Sequence, residues 1–249
     1  MQIQLLGGFD VSNGGRRVVH DAWRLRKAKT LIKLLALEPA HRLHREQIAY
    51  QLWPELDANS VRNNLHQVLH AARRALATIG VDPKVALTWH DDLVVLGPDG
   101  QVGTDLEDFQ HAVEQATASR DGTALTTALR RWNGELLPED AYEPWVEQHA
   151  SRIREWRSTL VMRLVEERLA ERDPASAVAL LTPLVATNPL NEPANRALMQ
   201  ALAAGGRNAE ALVLFDRLRD LLQPAPRADS FAARVARGRP AGSGSPRER

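Results

Sequence analysis

Asp57-Ala-Asn-Ser-Val-Arg-Asn-Asn-Leu-His-Gln-Val-Leu-His-Ala-Ala-Arg-Arg-Ala-Leu76 is the stretch on which the fold turns. At about 100° per residue, Val61, Leu65, Val68, Leu69, Ala72 and Leu76 fall in one narrow stripe, the pattern of a helix buried along one side. Asn63, Gln67, His70 and Arg74 fall opposite, with His66 and Arg73 flanking them. Amides, imidazoles and guanidinium groups hydrogen-bond base edges and phosphates. An ordinary solvated helix face mixes Glu with Lys in i,i+4 pairs. Here no acid occurs between Asp57 and Asp82, a bias that suits a surface facing phosphates. A basic surface helix with no ligand is the alternative reading.

Working outward, residues 2–6 and 9–11 read as short strands around Gly7-Gly8, and Asn13-Gly14-Gly15 as a turn before residues 16–19. Residues 26–38 form a helix with Ala28, Leu31, Leu34 and Leu35 inward, ended by Pro39. Residues 45–53 form a second, short helix with Ile48, Ala49 and Leu52 inward and Pro54 as its stop. Downstream, residues 85–89 and 93–96 flank His90-Asp-Asp92 as a hairpin. Sheet, three helices and hairpin, in that order, predict a winged helix, a helix-turn-helix variant whose third helix enters the major groove. Asn63, Gln67, His70 and Arg74 are then expected to face bases, and Arg62, His66 and Arg73 to reach flanking bases or phosphates. Arg26, Lys27 and Lys29 start the first helix at the positive end of its dipole, where they are expected to hold the sugar-phosphate backbone. The hairpin tip suits DNA less well, since Asp91 and Asp92 repel phosphates and only Lys84 and His90 offset them.

The same residues resemble a known family. Leu5-Leu-Gly-Gly-Phe9, Arg26-Lys-Ala-Lys-Thr-Leu-Ile-Lys-Leu-Leu-Ala-Leu37, His44-Arg-Glu-Gln-Ile-Ala49 with Leu52-Trp-Pro54, and Asn63-Asn-Leu-His-Gln67 with Arg73-Arg-Ala-Leu76 are similar to the Streptomyces antibiotic regulatory protein (SARP) family of transcriptional activators. The resemblance continues through Asp105-Leu-Glu-Asp-Phe109, Trp132-Asn-Gly-Glu-Leu-Leu137 and Asn188-Pro-Leu-Asn-Glu192, and covers roughly residues 2–222. It implies an OmpR-like winged helix followed by a bacterial transcriptional activation domain. It also implies binding of double-stranded promoter DNA in pairs on direct repeats, and contact with RNA polymerase through its sigma factor or alpha-subunit carboxy-terminal domain. Where the family usually ends its domain with one more helix, Leu221-Leu-Gln-Pro-Ala-Pro226 departs from the pattern. An unclosed last repeat is expected to leave Phe215, Leu218 and Leu222 partly exposed.

Charge is distributed in step with this reading. The chain's 249 residues have a formal net charge of +1, which splits into +3 over residues 1–100, −6 over 101–223 and +4 over 224–249. Six of the eight histidines also lie in the first hundred residues. A basic head on an acidic body fits DNA binding joined to protein contact. With no cysteine there is no disulfide framework and no thiolate site. Apolar runs are too short to span a bilayer and no signal pattern opens the chain, so a cytoplasmic protein is expected.

Residues 101–223 read as all helix. Residues 106–119 and 123–131 form a pair broken at Gly134, and Pro144-Trp145 opens a long helix to about residue 171. A 34-residue period then sets Ala177 against Ala211, Leu180 against Leu214 and Leu181 against Phe215, with Pro189 ending a unit in tetratricopeptide fashion. Leu184 stands where that pattern has a small residue. Such repeats either fill their own core or offer a groove to a protein partner. Residues 224–249, rich in Pro, Gly, Ser and Arg, are expected to form a disordered basic tail.

Catalytic patterns are absent: no Gly-x-x-x-x-Gly-Lys loop, no Gly-x-Ser-x-Gly and no His-Glu-x-x-His. His66 and His70 share a face at chelating spacing, but no third ligand or general-base Glu accompanies them. Trp53 reads as a core plug between the second and third helices, Trp89 as packing for the hairpin, and Trp132, Trp145 and Trp156 as repeat-domain core. The expected architecture is therefore mainly α with a small β component. A winged helix-turn-helix domain (1–100) precedes an all-α tetratricopeptide-like domain (101–223). The expected function is a DNA-binding transcriptional activator without cofactor, metal or enzymatic activity. A repeat-based protein-interaction module of a larger regulator, without autonomous DNA binding, is the competing reading.

Overall fold

The computed structural model of the protein describes residues 1–97, 100–119 and 122–223; the expected tail over 224–249 lies outside them. The described chain is mainly helical with a small β component, as its periodicity predicts. It divides into two compact units, one over Met1–Glu167 and one from Arg168 onward.

The first unit opens with β1 (Gln2–Gln4), β2 (Asp10–Asn13) and β3 (Arg16–Arg17), an antiparallel meander in which buried Ile3 faces buried Val11. Gly14 and Gly15 both take positive φ, 54° and 81°, in the two-residue turn between β2 and β3, a backbone that favours glycine. Helix α1 (Arg26–Leu37) buries Ala28, Leu31, Leu34 and Leu35 as expected, and also Ile32 and Lys33. β4 (Arg42–His44) leads directly into α2 (Arg45–Leu52), which is capped by a reciprocal pair. The His44 ring accepts the Glu46 amide at 3.3 Å, and Gln47 accepts the His44 amide at 3.0 Å.

Helix α3 (Ala58–Ala77) begins at Asp57, whose carboxylate accepts the Asn59 and Ser60 amides at 2.9 and 3.1 Å and the Ser60 hydroxyl at 2.6 Å. These bonds, led by the Ser60 hydroxyl, hold the Asp57 carboxyl below its usual range. Along α3, Leu65, Val68, Leu69, Ala72, Ala75 and Leu76 are buried. Trp53, 7 % exposed, plugs the core beside α2.

The hairpin departs from expectation at its start. Asp82 caps a helical turn, α4 (Pro83–Ala86), by accepting the Lys84 amide at 2.9 Å. Val85 and Ala86 are therefore helical, and the first strand, β5 (Leu87–His90), begins only at Leu87. It pairs with β6 (Leu93–Leu96), and β4, too short for periodicity to reveal, completes a sheet ordered β4-β6-β5.

The compositional boundary near residue 100 does not separate the compact units. β7 (Gly103–Thr104) runs parallel to β1, completing the sheet order β3-β2-β1-β7. Helix α5 (Asp105–Ala118) follows, and the Asp105 carboxylate accepts the Leu5 and Leu6 amides at 2.7 and 3.1 Å. Burial raises the pKa of this carboxyl above its ordinary value despite those bonds. After α6 (Gly122–Arg130), Gly7 and Gly134 cross at backbone contact: a Cβ on Gly7 would lie 2.3 Å from the Asn133 carbonyl oxygen. Gly7 donates to the Glu135 carbonyl at 2.8 Å, and Leu137 donates to that of Leu5 at 2.9 Å. The deepest tie is ionic. Lys33 of α1, 3 % exposed, pairs with Asp140, and the neighbouring Lys29 pairs with Glu139 at 2.9 Å.

Helix α7 (Pro144–Ala170) carries the chain across the division. Trp145 is buried, Trp132 meets Phe109 at 5.5 Å between ring centres, and Trp156 lies beneath Arg152. All three lie in the first compact unit.

The second unit contains α8 (Pro174–Thr187), α9 (Glu192–Ala204) and α10 (Asn208–Leu222). Equivalent positions of the 34-residue period differ in burial: Ala177 and Leu181 are 0 % exposed, whereas Phe215 is 51 % exposed. Leu222 is also exposed, but Leu218 is buried, so two of the three expected exposures hold. Leu181→Ala should accordingly cost about 2–5 kcal/mol and Phe215→Ala under about 1 kcal/mol, measured by denaturant unfolding. Equal costs would contradict the packing asymmetry.

Candidate nucleic-acid interface

Asp57 starts α3 and the apolar stripe seats it, so the opposite face is presented outward by local sequence alone. Arg62, Asn63, His66, Gln67, His70 and Arg74 are all exposed, and α3 carries no acid. Arg73 differs. It is half-buried, and its Nε donates to the Leu87 carbonyl at 2.8 Å, tying α3 to β5. His66 is also engaged, its ring centre 4.7 Å from that of Trp89. Trp89 packs the hairpin as expected and donates its indole N–H to the Asp91 carbonyl at 2.9 Å. The outward face of α3 and the hairpin are therefore joined through Arg73 and His66.

Beside α3 lies an open groove of ≈ 650 Å³. His66, Gln67, His70 and Arg74 line it from α3, and Asp21, Arg24 and Leu25, in and just after the short turn His20–Ala22, also line it. Arg24 is the residue that periodicity missed, because it precedes the helix in an irregular segment. The available signal was the basic cluster Arg24-Leu-Arg-Lys27.

At the start of α1 the three expected phosphate ligands separate. Arg26 is exposed and has no side-chain partner among the described residues. Lys27 donates to the Leu52 carbonyl at 2.6 Å and stands 4.9 Å from the Trp53 ring centre; loss of hydration lowers its pKa. Lys29 is held by Glu139 and lies 5.4 Å from the Phe9 ring centre. Two of the three cationic side chains, the lysine amines, are thus occupied within the protein. At the hairpin tip Asp92 is in turn paired with Arg45 at 2.9 Å. Among the described residues no helix is long and apolar enough to cross a membrane.

Residues 104–225 match the family of the bacterial transcriptional activator domain. The chain is 32 % identical over 145 residues to the regulatory protein AfsR of Streptomyces coelicolor, covering 54 % of this chain and 14 % of AfsR. It is 27 % identical over 222 residues to the transcriptional regulator RedD of the same organism, covering 85 % of this chain and 62 % of RedD. It therefore spans about a seventh of the first relative and under two thirds of the second. The structure of Mycobacterium tuberculosis EmbR, solved in complex with a low-affinity phosphopeptide, shares the fold. Its TM-score is 0.70 at 24 % identity, over 97 % of this chain and 66 % of EmbR. In its bacterial transcriptional activator domain over residues 104–225 and in these regulatory relatives, the chain is similar to the SARP family of transcriptional regulators.

Proposed function

We propose that this protein is a cytoplasmic, sequence-specific transcriptional activator that grips double-stranded promoter DNA with α3. The observation that carries the reading is the exposed, acid-free face of α3, with Asn63, Gln67, His70 and Arg74 at its centre. Arg62 and His66 flank the bases, Arg24 and Arg26 take the backbone on either side, and Arg73 acts mainly by fastening α3 to the wing. One winged helix reads only a short half-site, so two copies on adjacent direct repeats supply the selectivity a genome demands. The acidic helical region, net −6 over residues 101–223, then faces RNA polymerase, whose basic DNA-contacting surfaces on the sigma factor or alpha subunit complement it.

The test is a footprint of the full chain on the promoter beside its own gene, across a salt series. Affinity should fall with salt at a log–log slope of about −0.9 per neutralised phosphate. Arg26→Ala should make that slope shallower by about one phosphate with base preference intact, while Lys27→Ala and Lys29→Ala leave it close to wild type. A protected repeat with this slope pattern supports the reading. No protection at any salt would favour the repeat-module alternative instead.

A further inference from the structure

The hairpin tip places two adjacent acids, Asp91 and Asp92, where a duplex gripped by α3 would bring phosphates. Their surroundings differ. Asp92 Oδ1 lies 2.9 Å from Arg45 Nε, and Asp92 Oδ2 lies 3.9 Å from His44 Nε2. The Arg45 amide also donates to the Asp92 carbonyl at 2.7 Å. Arg45 is the first residue of α2, and β4 just before it is paired to β6, so the backbone that carries the guanidinium is fixed beside the tip. Asp91 has no cation within ion-pair distance among the described residues. It sits at φ 52°, in the left-handed region, with its carbonyl taking the Trp89 indole N–H. Trp89 lies against His66 of α3, so the tip stays beside whatever α3 touches.

We propose that Arg45 is a built-in counter-charge for the wing: it neutralises Asp92 so that the hairpin tip can stand beside the DNA backbone, and it leaves Asp91 at the tip without a counter-charge among the described residues. The inference rests on the DNA-binding reading of α3. Arg45 is a positioning residue that acts through Asp92. A pair as exposed as this one, with Arg45 at 45 % and Asp92 at 49 %, adds little to folding. A bare carboxylate within a Debye length of a phosphate, about 10 Å at 0.1 M salt, is repelled by it.

The experiment measures binding of the full chain to duplex DNA from the promoter beside its own gene, at low salt, with thermal unfolding as a control. Asp91→Asn should tighten binding about 3-fold, and Asp92→Asn should tighten it by a similar factor, because it frees the Arg45 charge. Arg45→Ala should weaken it about 5-fold or more, and Arg45→Ala with Asp92→Asn should return it to within about 2-fold of wild type. Arg45→Lys should bind as wild type, and all differences should shrink as salt rises. If the double variant stays as weak as Arg45→Ala, Arg45 touches phosphate itself and the masking idea is overturned. Asp92→Asn binding no tighter than wild type overturns it as well, because an Arg45 released from its partner would then carry no charge toward the duplex, and that variant leaves Arg45 intact. Wild-type protein that binds no duplex at all would overturn the DNA-binding reading beneath it, a separate signature.

Discussion

Asp140→Ala should destabilise the Met1–Glu167 unit by about 3 kcal/mol, because it strands the Lys33 ammonium in the core without its counter-charge. Glu139 offers partial relief, with an oxygen 3.7 Å from the same amine, but it is half exposed and already committed to Lys29. Phe9, whose ring centre lies 5.0 Å from the Lys33 amine, cannot replace a carboxylate. For a unit of this size the loss corresponds to a fall in Tm of about 10 °C, readable by circular dichroism of the full chain. Replacing both partners, Lys33→Met with Asp140→Leu, should recover most of that stability, since the cost lies in the unpaired charge rather than in the missing bridge. An Asp140→Ala protein that melts with wild type would show that the pair is not a structural tie. The same experiment tests the unity of this unit. Lys33 and Asp140 are separated by 107 residues, and they join the winged helix to the segment before α7.

The second large effect is on recognition. Arg74→Ala should cost about 1–3 kcal/mol of binding free energy and relax preference at one base position, as expected of a bidentate guanine contact. Charge reversal at two exposed positions, Arg62→Glu with Arg74→Glu, should reduce affinity more than 100-fold, because each change both removes a contact and adds repulsion. Stability should hold in either variant, since both side chains point away from the apolar stripe. Fluorescence anisotropy against the promoter repeat and a scrambled duplex separates the possibilities. A uniform loss on both duplexes after Arg74→Ala would reassign Arg74 to the phosphate backbone. The structure also sets the right fragment for dissecting activation. Cutting after residue 100 would remove the Asp105 carboxylate from the Leu5 and Leu6 amides and uncover their buried side chains, so activation is better dissected with surface variants of the full chain.

The sequence alone determined those features that rest on neighbours a few residues apart. The buried stripe and exposed basic face of α3, its start at Asp57 and the Gly14-Gly15 turn all follow from local spacing, because helical and strand periods act over one or two turns. Only the tertiary structure decided which polar groups remain available. Lys27 and Lys29 read as phosphate ligands from their place at a helix start, yet their amines are claimed by Leu52 and by Glu139, the latter 110 residues away. Arg45 and Asp92 read as unrelated charges until β4 and β6 pair and bring them to 2.9 Å. That the compact unit runs past residue 100 to Glu167 has the same cause. Charge and composition are averages along the chain, whereas compactness is set by the crossing of Gly7 with Gly134, the buried Lys33–Asp140 pair and the strand pairing of residue 3 with residue 104, contacts that chain closure creates and no local pattern encodes.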